Sequence, residues 1–432
     1  MDPQQLSLGG KIRALVALGR IPFATEVPLW CLFGCLTSSQ IFSSPNPKGD
    51  GPFQNLDWWA TTQCLLITWG TNISINYCNE YFDWDVDRAE MVASIERDLK
   101  RRKMIKEDGQ DEATVEYSEK MMGSTTRPIH DGTFPPVVSL ILGLFVQYLL
   151  FALIYTSRGH SQFTFSRPGA RGSPFRGLAL QIGIFSTILS QAYAAPPLRL
   201  HYHGFGELTS ALLLSPVSFL FGLVGHYTAT VRPVAFSDLF ADATTSSSGF
   251  YADKQIWALL ASFYCFEQAR IFVMHLSDID KDRSEGKNTF CVKVGQQVAS
   301  RLYLLFNGLC AVFTWIIFRQ LAHREGMILS VAARKLDKAT QDRVGLGWKT
   351  GAIVIASYAL PAVLITAKSL FAALVKDNKA AKVDKWITGA FPDFLPVLKL
   401  SDCAKLVSVK TLVTPVMLSA VLVTTVLATG IP

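Results

Sequence analysis

A chain of 432 residues that is half hydrophobic and only 17% charged is too apolar for a soluble enzyme of that length and has the balance of a polytopic membrane protein. Its net charge of +7 sits mostly in a few loops, without the mixed basic and aromatic clusters of a nucleic-acid surface, so no nucleic-acid partner is expected. The eight cysteines are scattered, most of them inside apolar runs, with neither metal-site spacing nor a disulfide framework.

The opening MDPQQLSLGGKIRALVALGR is too weakly basic for an organelle transit peptide and forms no cleavable signal, so the first membrane helix is expected to act as an uncleaved anchor. Apolar windows of roughly 17 to 25 residues, the length that spans a bilayer, fall near 22–42, 58–82, 134–156, 178–195, 208–228, 254–277, 300–320, 349–370 and 407–429. The fold class is therefore all-α, with about nine transmembrane helices. In the first window Cys31 and Cys35 share a helix face, which reads as packing. In the second, Asn72-Ile73-Ser74 matches a glycosylation sequon but lies within the apolar run, so the match is accidental. The fourth is short and carries Gln181, Ser186, Ser190 and Gln191, which predicts that it faces protein or a cavity rather than lipid. Trp58, Trp59 and Trp69 read as interface or packing residues.

Two loops interrupt this series: residues 88–132, with the mixed-charge run ERDLKRRKMIKEDGQDE, and the lysine-rich residues 371–406, where Trp386, Phe391 and Phe394 suit an interface. Lys and Arg concentrate in the N-terminus and in the loops after even-numbered helices, which places the 83–132 loop in the cytosol and the termini on opposite faces. The whole chain, 1–432, is expected to form one membrane domain of the endoplasmic reticulum or another endomembrane.

The second window ends in NEYFDWDVD, residues 79–87. Carboxylates are costly at a membrane helix end unless something balances their charge. Asn79, Asp83 and Asp87 recur every four residues, so on a helix they share one face, about 6 Å apart along the axis, while Asp85 points away. A second motif, HLSDIDKDRSEGKNTF, closes the sixth window, and there Asp278 and Asp282 share a face. Both motifs end even-numbered helices and so belong to one side of the membrane. Carboxylates and an amide oxygen are hard ligands suited to Mg²⁺, which keeps several waters and shares a phosphate ligand. The partner this implies is a diphosphate, clamped by cations near the motifs: Arg88 after the first, Lys281, Arg283 and Lys287 in the second, and Arg127 in GSTTRPIHDG. The bland alternative is a pair of solvated acidic helix ends. Two same-side motifs, each followed by basic residues, favour the metal site.

With these residues in view the chain resembles the UbiA superfamily of intramembrane prenyltransferases, whose hallmarks are NxxxDxxxD after the second helix and DxxxD after the sixth. The resemblance covers roughly residues 12–320. DIDKDRSEGKNTFCVKVG, AYAAPPLRLHYHGFGE and TTRPIHDGTF are similar to the branch that prenylates dihydroxynaphthoate. It implies a helical bundle around a central cavity with a cytosolic cap and a lateral opening to lipid. Two Mg²⁺ would bridge the aspartates to an isoprenyl diphosphate, whose allylic cation a lipophilic aromatic or quinone-precursor acceptor captures. The sequence departs from the pattern at Pro197, where many members carry lysine, and at Met274-His275, where the naphthoate branch carries asparagines.

Tyr193 and Arg199, just after the fourth window, are candidates for binding diphosphate or acceptor, against an interfacial anchor pair. Glu267 and Arg270, three apart in the sixth window, read equally as a structural pair and as functional intramembrane charge. His275, one turn before Asp278, is a candidate base or acceptor contact. His201, His203 and His226 lack a common ligand spacing and read as structural, and Glu207 reads as a helix cap. Two other functions compete with prenyl transfer: a terpene cyclase on the same scaffold, where the cation is captured by its own chain and no acceptor is needed, and a transporter, which acids at helix ends rather than at midplane breaks disfavour.

Overall fold

The computed structural model describes residues 7–21, 23–41, 56–85, 129, 134–164, 173–241, 250, 254–284, 286–296 and, among 298–316, residues 298, 299, 301–303, 305–310, 312, 313 and 316. Within them the structure is all helix, with no strand. The windows 349–370 and 407–429 and the 371–406 loop lie outside the described residues, as does the 88–132 loop except Ile129.

Helix α1 (Leu8–Leu18) starts where the Ser7 hydroxyl accepts the Gly10 N–H at 3.2 Å and stops at Gly19. It docks on α3 (Trp58–Phe82): Tyr77 donates its hydroxyl to the Leu15 carbonyl (3.0 Å) and Asn76 its amide to that of Gly19 (3.2 Å). Gly19 is required there, since a Cβ would meet the Tyr77 ring at 2.7 Å. Between them in sequence lies α2 (Glu26–Ile41). Helix α3 is opened by Asp57, which accepts the N–H groups of Trp59 and Ala60 at 2.9 and 3.1 Å. Then follow α4 (Pro136–Thr164), α5 (Gly177–Ala194), α6 (Gly206–Leu212), α7 (Ser218–Thr230) and the long α8 (Lys254–Ser284). A π-helical turn over Leu213–Val217, containing Pro216, joins α6 to α7 into one rod.

Among the described residues, four segments are long and apolar enough to cross a membrane: Pro136–Ser157, Gly177–Ala194, Gly206–Thr230 and Ile256–Leu276. Helix α2 is only 16 residues long, and α3 dilutes its apolar run with inward-facing Thr61, Gln63, Thr68 and Ser74, so neither joins that set. The polytopic, all-helical architecture stands. Of the nine expected windows, six coincide with described helices, and the seventh is partly described and helical.

The core lies between α2, α7 and α8, where Trp30, Phe33, Phe219 and Phe263 interlock with ring centroids 4.5–5.7 Å apart. Helices α2 and α7 approach through reciprocal glycines: a Cβ on Gly34 would strike the Phe219 carbonyl, and one on Gly222 that of Cys31. Cys31 and Cys35 are buried in this packing, as expected. Helix α4 carries the opposite character, with a mean hydropathy of 2.5 and only 17% of its apolar window buried, so its surface faces lipid. The expectation that the fourth window turns from lipid is half corrected. In α5, Ser186 and Ser190 face inward, but Gln181, Ile184, Phe185 and Ile188 are exposed.

Candidate functional site

The end of α3 is set by its termination. The Asp83 N–H bonds the Asn79 carbonyl at 2.9 Å, which leaves Asp83 as the C-cap residue. A carboxylate at a helix C-terminus opposes the helix dipole and needs cationic or donor partners. The loop after α5 supplies them. It passes through a cis Pro196–Pro197 bond, a left-handed Arg199 (φ 37°) and a 3₁₀ turn over Leu200–His203, bringing His201 and Tyr202 against Asp83. His201 Nε2 and the Tyr202 hydroxyl each lie 3.2 Å from Asp83 Oδ1.

His201 Nδ1 lies 2.6 Å from the Tyr193 carbonyl, and the rings of His201 and Tyr193 stack at 4.9 Å. A carbonyl only accepts, so Nδ1 bears a proton, and Nε2 donates to Asp83 when the ring carries both protons. The Arg199 guanidinium sits over the Tyr202 ring at 5.4 Å and approaches the Phe82 carbonyl at 3.5 Å.

Burial acts to raise the Asp83 carboxyl, but the His201 hydrogen bond and charge, then Lys287 and Tyr202, hold it below the ordinary carboxylate range. The Tyr202 hydroxyl is pushed up, by burial and then by the Asp83 charge. Lys287 follows the second acidic motif, so its action on Asp83 links the two segments. Asp85 is exposed, in keeping with its predicted orientation away from Asp83, whereas Glu80 turns inward and pairs with Arg20 at 2.9 Å.

The second motif closes α8. Asp282 is buried, accepts the Thr289 hydroxyl at 3.3 Å and lies 3.6 Å from His275 Nδ1. The same nitrogen is 3.7 Å from Glu207. Glu207 does not cap its own helix. It is fully buried and accepts the Cys291 N–H at 3.2 Å, tying α6 to the segment beyond α8. Arg283 is exposed. Asp278 and Lys281 lie on α8 with side chains outside the described set; Asp87, Arg88 and Arg127 lie outside it altogether.

Both segments border one cavity of about 300 Å³. Asn79 reaches it from α3, Tyr193 from α5, and Met274 and His275 from α8. The α6–α7 rod contributes Leu213 and Leu214 from its π-helical turn, a common setting for function. Deeper on the α8 wall, Arg270 faces the cavity, backed by Glu267 (Nε to Oε1, 2.7 Å) and by Glu26 of α2 at 3.5 Å. The predicted Glu267–Arg270 pair is thus a buried triad of two acids and one base.

Among the described residues no three His, Cys, Asp or Glu side chains converge into a ready cation site. The donors beside the cavity are nevertheless hard oxygens, and Asn79 Oδ1 is buried there with no hydrogen-bond partner among the described residues. One or two carboxylates, an amide oxygen, waters and phosphate make a set that suits Mg²⁺. His201, Tyr202, Glu207 and Glu26 were not foreseen as partners of the site. The histidine lacks ligand spacing, and its contact depends on the turn after Pro197.

No family model and no curated protein matches the sequence. Among solved structures the chain is similar to one of digeranylgeranylglyceryl phosphate synthase, at 13% identity and a TM-score of 0.48, covering 96% of this chain and 98% of that one. It is also similar to a UbiA homologue from Archaeoglobus fulgidus bound to GPP and Mg²⁺, at 12% identity and a TM-score of 0.45, and to the same homologue bound to DMAPP and Mg²⁺, at 12% and 0.43. Each covers 94% of this chain and 99% of that one.

Proposed function

We propose that the chain is a Mg²⁺-dependent intramembrane prenyltransferase of UbiA type, which ionises an isoprenyl diphosphate and transfers the prenyl group to a lipophilic aromatic or quinone-precursor acceptor. The observation that carries this reading is the buried Asn79 Oδ1 on the cavity wall, which has no hydrogen-bond partner among the described residues. It lies one helical turn from Asp83 and shares its cavity with His275, which contacts Asp282. An orphaned buried acceptor costs free energy unless a ligand satisfies it.

Asn79, Asp83 and Asp87 on one segment and Asp278 and Asp282 on the other would hold Mg²⁺, which supplies charge neutralisation at the departing diphosphate. The chain's own residues do the rest. His201 and Tyr202 fix the Asp83 carboxylate, and Lys287, Arg199, Arg88, Arg127, Lys281 and Arg283 are the cations we assign to the diphosphate oxygens. The carbon–oxygen bond of the donor breaks with its electrons leaving on diphosphate. The acceptor's electron pair then forms the new carbon–carbon bond, and the acceptor loses a proton. Tyr193 and His275, both on the cavity, are the groups placed to orient the acceptor or take that proton. The Leu213, Leu214 and Phe221 side chains give the cavity apolar wall, which would shield an allylic cation from water.

A cyclase on the same site would need only a hydrocarbon-lined chamber. The cavity lining instead includes Asn72 and Asn76 of α3 and Ser186 and Ser190 of α5, which favours a partner with polar groups. Product identification tests this. Purified protein with Mg²⁺ and geranyl, farnesyl or geranylgeranyl diphosphate is expected to prenylate an aromatic acceptor, a dihydroxynaphthoate being the first to try. A cyclic hydrocarbon or alcohol formed equally without acceptor would establish the cyclase.

A further inference from the structure

The buried triad on the α8 wall stands apart from the acidic motifs, yet Arg270 lines the same cavity. Its guanidinium is only partly engaged. Nε and Nη2 bond Glu267 Oε1, and Nη2 also lies 3.5 Å from Glu26 Oε1. Nη1 meets no oxygen among the described residues; its acceptor there is the Met274 sulfur, at 3.5 Å. A thioether accepts only weakly, so this cationic donor keeps N–H capacity for a ligand. Arg270 is 7% exposed, and a desolvated guanidinium bonds strongly to an oxygen brought to it.

One reactant can supply that oxygen. Arg270 precedes Asp278 by eight residues, about 12 Å along α8, which puts the donor's diphosphate out of reach when its head sits among the acidic motifs. The donor's tail is hydrocarbon. The acceptor remains. His275, placed to orient it, is five residues or about 7.5 Å further along the helix, a span that an aromatic ring system with an oxygen at its far end bridges. Charge then decides which oxygen. Two carboxylates face one guanidinium, so the triad is net negative with both acids ionised and neutral when one is protonated. It holds no surplus positive charge, and an acceptor carboxylate buried beside it would go unbalanced. A phenol or quinone oxygen carries no such penalty.

We propose that Arg270 holds the acceptor by an uncharged ring oxygen, a phenol hydroxyl or a quinone-type carbonyl, and so selects neutral acceptors over carboxylates. This rests on the prenyl-transfer reading and names the acceptor class within it. The experiment measures binding of naphthohydroquinone and of its carboxylated analogue, dihydroxynaphthoate, under ascorbate. The full chain in detergent is first loaded with Mg²⁺ and a non-reactive geranyl thiolodiphosphate. Wild type, Arg270→Lys and Glu26→Gln are compared, each checked for monodisperse elution. The wild type is expected to bind the hydroquinone more tightly than the naphthoate. Arg270→Lys keeps a counter-ion for the acids but loses the guanidinium fork. It should weaken hydroquinone binding about 10- to 100-fold, the share of one charge-assisted hydrogen bond, with thiolodiphosphate affinity unchanged. Glu26→Gln removes a negative charge and should shift the preference toward the naphthoate, which a merely structural triad would not do. A wild type that prefers the naphthoate or binds neither ring, hydroquinone binding unchanged in Arg270→Lys, or a preference unmoved in Glu26→Gln overturns the role of Arg270 while leaving donor binding intact. A wild type that binds no thiolodiphosphate overturns the functional reading and this one with it.

Discussion

Replacing Arg270 by leucine is the perturbation whose size the structure sets most directly. The guanidinium is buried with Glu267 and Glu26, and Glu267 Oε2 already lacks a hydrogen-bond partner among the described residues. Removing the arginine strips the buried acids Glu267 and Glu26 of their counter-ion, and breaking a buried pair in this way costs about 3–5 kcal/mol. At roughly 2.1 cal/mol/K of unfolding entropy per residue, a chain of 432 residues melts with about 0.9 kcal/mol/K. The expected fall in midpoint is then about 3–6 °C. Thermal unfolding in detergent, followed by intrinsic tryptophan fluorescence, reports it, because fully buried Trp30 packs at 6.3 Å from Phe266, next to Glu267 in sequence. Lys11→Ala, on exposed α1, is the control and should cost no more than about 0.5 kcal/mol. Replacing all three members together (Glu26→Leu, Glu267→Leu, Arg270→Met) should recover most of the loss, because an apolar set of similar volume carries no desolvation penalty. An Arg270→Leu shift no larger than that of the control, or a triple variant as unstable as the single one, would refute the reasoning.

Three other outcomes are expected. Asp83→Asn should abolish pyrophosphate release, whereas Asp85→Asn, at an exposed position, should retain most of it; equal losses would show that the helical phase of the motif is misread. His201→Ala removes a charge-assisted hydrogen bond to Asp83 and should lower turnover by about 10- to 100-fold, the 1.5–3 kcal/mol such a bond contributes, while His203→Ala, on an exposed side chain, should change it little. The pH dependence of stability follows from the lowered Asp83 carboxyl: its contribution is fully present above the unfolded value of about 3.9 and is lost as pH falls through the lower folded value. Acid unfolding of His201→Ala should therefore begin at a higher pH than that of the wild type, and coincident curves would contradict the contact.

The parts of this site legible in the sequence are those written within one helix. The four-residue spacing of Asn79 and Asp83, the outward turn of Asp85 and the i,i+3 contact of Glu267 with Arg270 all follow from 3.6 residues per turn. The membrane helices were legible from apolar length where they face lipid, as in α4. They were legible in α3 too, where the window 58–82 matches Trp58–Phe82 although its Thr, Gln and Ser side chains are buried by other helices. What spacing does not carry is contact between distant segments. Glu26 meets Arg270 because reciprocal glycines bring α2 close to the core. His201 meets Asp83 because a left-handed Arg199 turns the chain back. Glu207 read as a local cap because its partner, the Cys291 N–H, comes from a distant stretch.

The account depends on the ends of α3 and α8 acting together on one ligand. Binding of a non-reactive isoprenyl thiolodiphosphate, followed by calorimetry with and without Mg²⁺, tests that without requiring turnover. Saturable binding that needs Mg²⁺ and is lost in Asp83→Ala and in Asp278→Ala alike is the predicted result. Binding that persists in either variant, or is indifferent to Mg²⁺, would contradict it.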